Sequence, residues 1–111
     1  MSAHRGRDLP LDPGHFRAMR EVAGLTQQDI AQWAGVTDRS ARRWDVTHTT
    51  PDEVARFVID AYEDVREMAR ETLATGANLV PAGGTSQERA VARLVMVLAA
   101  EQGRAVRVVG P

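Results

Sequence analysis

Apolar residues recur at helical spacing along most of the chain, and glycines, prolines and polar caps break the pattern into segments. Asp12 followed by Pro13 is an N-cap with proline at the first helical position, and Leu11 is placed to staple against Phe16. Phe16, Met19, Val22 and Ala23 then mark one face of a first helix, which Gly24 stops. A second helix follows Thr26, with Asp29 three residues on as a capping-box variant. Ile30, Ala31, Trp33 and Ala34 are its apolar face, and Gly35 sits where a helix ends in a left-handed residue. Val36 is expected to plug the turn, and Thr37 to cap a third helix whose inward face is Ala41 and Trp44. Ala31 is small where the third helix must cross the second. Trp33 and Trp44, each on an inward face, read as core. Two short capped helices around one glycine-containing turn make a helix-turn-helix pattern.

Thr50, Pro51 and Glu53 predict a fourth helix with a full capping box and proline at its first position. From Val54 the apolar residues Phe57, Val58, Ala61, Tyr62, Val65, Met68 and Leu73 hold helical period for about six turns. A helix-turn-helix core can cover only the first half. Ala61, Val65 and Met68 therefore need another surface, either the C-terminal segment or a second subunit. Residues 76–86 are turn-rich, with Leu79 and Val80 as a possible short strand before Pro81.

A last helix starts at Thr85 or Ser86, with Glu88 completing its cap, and carries Val91, Leu94, Val95, Val97, Leu98 and Ala99 before Gly103. It is apolar on more than one face, which makes dimerisation through Val91, Leu94, Val95 and Leu98 the economical expectation. Ala105 to Val109 is β-branched and reads as a strand. A lone strand must pair, so Val106 and Val108 are expected to meet either Leu79 and Val80 or the same strand of a partner subunit. The expected architecture is mainly α. A flexible tail (1–10) precedes a helix-turn-helix bundle with a long fourth helix (11–75), and a C-terminal helix and short β-strand (76–111) serve dimerisation.

Composition narrows the function classes. With 111 residues the chain suits one domain, and 43% hydrophobic with 26% charged residues is globular composition. No stretch reaches the roughly 20 apolar residues that span a bilayer, and the N-terminus lacks a hydrophobic signal core, so a cytoplasmic location and no membrane partner are expected. Cysteine is absent, which excludes disulfides, thiolate zinc sites and thiol nucleophiles. His4, His15 and His48 are widely separated, so no metal is expected. Neither a phosphate-binding glycine loop nor a nucleophile elbow is present, and no cofactor, small-molecule substrate or enzymatic activity is expected. The formal net charge of -1 argues against indiscriminate nucleic-acid binding. Its distribution is uneven: seven acids and three arginines lie between Asp52 and Glu71, whereas Arg39, Arg42 and Arg43 cluster on the third helix.

From about Phe16 through Phe57 the sequence resembles the Cro and phage-repressor type of helix-turn-helix. Leu25-Thr26-Gln27, Ile30-Ala31, Gly35-Val36-Thr37 and Arg43-Trp44-Asp45 fall at the family's spacing. The Arg-Arg-Trp-Asp ending and the C-terminal helix followed by Ala105 to Val109 look like small bacterial and phage regulators with an appended dimerisation segment, anti-CRISPR-associated autorepressors among them. The resemblance implies an ion pair between Arg20 and Asp45. It also implies base-edge contacts from Asp38, Arg39 and Arg43, a phosphate contact from Gln27, and auxiliary contacts from Gln28, Ser40 and Arg42. Arginine suits guanine, and Asp38 suits either a cytosine amino group or an electrostatic cap. Val46 to Thr50 departs from the family by lacking the glycine that often follows the Trp-acid pair. These features together predict a homodimeric regulator, most simply a repressor, with an autorepressor as one form of it, on a palindromic operator in double-stranded DNA. The rival is an antitoxin-like module that covers a protein partner with its C-terminal half.

Overall fold

In the computed structural model, which describes residues 12–110, α1 (Pro13–Ala23) begins where the Asp12 carboxylate accepts from the His15 backbone N–H. It ends at Gly24, whose φ of 78° is left-handed. α2 (Gln27–Ala34) opens with the reciprocal cap of Thr26 and Asp29 and closes on Gly35 at φ 70°. α3 (Asp38–Val46) starts at Thr37, which accepts from the Ser40 N–H. Then come α4 (Asp52–Ala74), β1 (Leu79–Pro81), α5 (Ser86–Glu101) and β2 (Arg107–Val109). The fold is thus mainly α with a short two-stranded parallel sheet, Leu79 paired with Arg107, Val80 with Val108 and Pro81 with Val109. The expected tail, with the Leu11 staple, lies outside the described residues.

α4 organises the rest because two apolar clusters share it. Near its start Val54, Ala55, Val58 and Ile59 pack with Phe16 and Met19 of α1, Ile30 and Ala31 of α2, and Ala41 of α3. Further along, Val65, Ala69 and Leu73 pack with Val80, with Ala90, Val91, Val95 and Ala99 of α5, and with Val106. The C-terminal segment of the same chain covers Val65 in the second half of α4, whereas Met68, expected to need cover as well, is 40% exposed and Ala61 is only partly buried. α5 carries the second full capping box, in which Thr85 accepts from the Glu88 N–H and Glu88 accepts from the N–H groups of Gly84 and Thr85. Those backbone donors hold the Glu88 carboxyl below its ordinary pKa, the Gly84 bond contributing most.

Several local expectations need correction. Thr50 does not cap α4: the N-cap position falls on Pro51, with no side-chain cap bond. Pro51 is itself extended at ψ 146°, where Pro13 after Asp12 is helical, so the helix starts one residue late. Thr50 is instead buried, and its hydroxyl has no hydrogen-bond partner among the described residues. Asp52 and Glu53 supply negative charge to the first turn. Trp33 is not core: the buried line of this two-turn helix is Ile30 and Ala31, and Trp33 lies at its margin, 48% exposed and stacked on Phe57 at 4.2 Å. Val36, expected to plug the turn, is exposed. Trp44 is partly buried and meets Phe16 edge-on.

Candidate functional site

α3 divides cleanly. Ala41 and Asp45 point inward and are buried, while Asp38, Arg39, Arg42 and Arg43 point outward and are exposed. Among the described residues, the side chains of Arg39, Arg42 and Arg43 make no hydrogen bond or ion pair. Three guanidiniums on two turns of one helix share that face with a single carboxylate, Asp38, and no ion pair binds them among the described residues, so the face offers fifteen N–H donors to an external acceptor.

The buried side explains how that face is held. Arg20 of α1 grips Asp45 with two parallel bonds, Nη2 to Oδ2 at 2.6 Å and Nε to Oδ1 at 3.2 Å. Its remaining nitrogen, Nη1, donates to the Leu25 carbonyl at 2.7 Å. Gln27 Nε2 donates to Asp45 Oδ2 at 2.9 Å. One carboxylate on α3 is thereby tied to α1 and to the first turn of α2. The Arg20 charge cancels that of Asp45 inside, so Asp45 does not offset the outward cations.

The other expected contact residues are placed unevenly. Gln28 is exposed on the first turn of α2. Gln27 has one amide N–H engaged with Asp45, which leaves its second N–H and its carbonyl oxygen for any outside group. Ser40 is partly buried, and its hydroxyl accepts from Thr37 within the cap, so it is spent on holding the helix start. The Gln27 to Asp45 bond was not anticipated; no spacing rule links residues on two different helices.

The residues expected at a dimer contact separate as well. Val91, Val95 and Val106 are buried against α4 of their own chain and cannot meet a second subunit without unfolding that core. Leu94 and Leu98 pack partly on the same cluster. Val108 is 41% exposed. The apolar surface left open on α5 is Met96 and Val97 instead.

Among the described residues no helix is long and apolar enough to cross a membrane. Comparison with family models, with curated proteins and with solved structures returns no match to this chain.

Proposed function

We propose that the chain is a helix-turn-helix, sequence-specific DNA-binding regulator that acts as a homodimer in the cytoplasm, most simply a repressor at a palindromic operator. α2, the turn and α3 form the reading unit. α3 lies in the major groove, Arg39 and Arg43 take guanine edges, and Arg42 takes phosphate or an adjacent base. Gln28 and the second amide N–H of Gln27 flank the site. Two copies then read half-sites about 34 Å apart, one duplex turn.

What supports the reading is the unpaired arginine face of α3, held from behind by the buried Arg20, Asp45 and Gln27 network. The chain as a whole has a net charge of -1, yet this face carries three arginines against one acid, Asp38, and no ion pair joins them. The modest overall charge favours recognition through a few base contacts over bulk phosphate attraction.

The test is selection from a random duplex pool, followed by mobility shift on the enriched sequence and on the upstream region of the chain's own gene. An enriched palindrome is expected. Arg39→Ala and Arg43→Ala should each weaken binding about 5- to 150-fold, the range of one bidentate base contact, and relax the preference at one position per half-site. No enrichment, or equal binding by wild type and the double variant, would overturn the proposal.

A further inference from the structure

We infer that the free edge of β2 is a self-pairing surface: two copies of the chain join β2 to β2 antiparallel, across a two-fold axis at Val108. The inference rests on the dimeric reading above and names its interface.

The ladder decides which groups are free. Arg107 N–H donates to the Asn78 carbonyl, and Ala82 N–H donates to the Val109 carbonyl. Backbone groups alternate sides along a strand, so Arg107 and Val109 face β1 while the N–H and C=O of Val108 turn outward. On β1 the same alternation makes Val80 face β2 and turns Leu79 and Pro81 outward. Proline has no N–H, so the outer edge of β1 cannot continue a ladder. Growth is possible only at β2, and a two-stranded sheet is marginal without it.

The side chains select the occupant. Val108 shares a sheet face with the buried Val80 and Val106, yet is itself 41% exposed, with no strand beyond it among the described residues. An antiparallel copy centred on Val108 places Val108 against Val108, and the inner face becomes an unbroken row of four valines, two from each chain. On the outer face Arg107 then sits between Leu79 of its own chain and Val109 of the partner. The two Arg107 residues are not directly opposite one another but stand diagonally about 7–8 Å apart, and the exposed Leu79 and Val109 gain neighbours. The resulting sheet runs β1, β2, β2, β1 with a proline at each outer edge, so assembly closes at two copies.

Val108→Pro removes the outward N–H and no bond of the chain's own sheet. Sedimentation equilibrium should show the wild type as a dimer and the variant with a dissociation constant raised about thirtyfold, the equivalent of two hydrogen bonds, with helical circular dichroism unchanged. As a second probe, the chain lacks cysteine, and a hydrogen-bonded antiparallel pair sets its Cα atoms about 5.5 Å apart, within disulfide reach. Val108→Cys should therefore oxidise to a covalent dimer much faster than Arg42→Cys does. A wild type that stays monomeric overturns both this interface and the dimeric reading. If the wild type is dimeric but Val108→Pro dimerises equally well, or Val108→Cys links no faster than the control, the interface alone is overturned.

Discussion

Asp45→Ala tests the buried network more sharply than any other single change. The Asp45 carboxylate receives three hydrogen bonds, two from Arg20 and one from Gln27, and is almost wholly buried. Removing it leaves the Arg20 guanidinium, itself 9% exposed, with the Leu25 carbonyl at 2.7 Å and Glu21 at 4.0 Å as its remaining partners. Breaking a buried pair from one side costs about 3–5 kcal/mol, and the surviving Leu25 bond places this site at the lower end, about 3 kcal/mol. With a urea slope of about 1.5 kcal/mol/M, the unfolding midpoint should fall by about 2 M. Far-ultraviolet circular dichroism follows the helices, while tryptophan fluorescence reports locally, since Trp44 adjoins the deleted group. Arg20→Met combined with Asp45→Leu removes both charges together. That pair should be destabilised by about 2 kcal/mol less than the sum of the two single changes, because neither charge is left buried alone. A loss below 1 kcal/mol for Asp45→Ala, or strict additivity in the cycle, would refute the claim that this network fixes α3.

Two further outcomes follow from the turns and caps. Gly24→Ala should destabilise by about 3 kcal/mol in the same urea assay, combining the left-handed backbone penalty with overpacking, because the new Cβ would stand 2.8 Å from both the Ala90 Cβ and the Ser86 carbonyl. Gly35→Ala has the same backbone penalty but open space around it, so about 1–2 kcal/mol is expected there. The carboxyls of Asp12 and Glu88 should titrate below their ordinary values by nuclear magnetic resonance, because backbone N–H groups stabilise their charged forms. Their contribution to stability is then fully present above the unfolded carboxyl range near pH 4 and is lost as pH falls through the lowered folded values; Glu88→Gln should remove its share of that acid dependence.

Local signals were the legible ones. Each cap whose partners lie three residues apart formed as expected at Asp12, Thr26, Thr37 and Thr85, because these bonds depend only on the chain's own immediate geometry. Thr50 failed although Asp12 before Pro13 succeeded, because Pro51 is extended rather than helical and Thr50 is buried. Periodicity also found the apolar faces, but it does not say which neighbour covers them. Val91 and Val95 were apolar for the sake of α4, not of another subunit. The exposure of Trp33 was hidden for the same reason, since its neighbour Phe57 comes from a distant helix. Arg104 is a further case: it donates to the carbonyls of Leu73 and Ala77 and so closes the end of α4 from 31 and 27 residues away, which no window of sequence could reveal.

The placement of the outward arginines and of the β2 edge is a single mechanical question, because both are referred to α4. Its 23 residues make a rod about 34 Å long with no glycine or proline to bend it. The first cluster fixes α3 near one end of the rod, through Ala41 and through α1. The second fixes the sheet near the other, through Leu73, Val80 and Val106. Gly24 adds a cross-brace, since only a residue without Cβ lets the end of α1 approach Ala90 and Ser86 of α5 so closely. A surface paired at β2 and a surface carried on α3 therefore cannot reorient independently. If pairing is two-fold at Val108, the separation and facing of the two arginine sets are dictated by the packing of α4 rather than by a flexible linker. That rigidity would favour a fixed half-site spacing, and a duplex selection should then return palindromes of one spacing rather than a family of them.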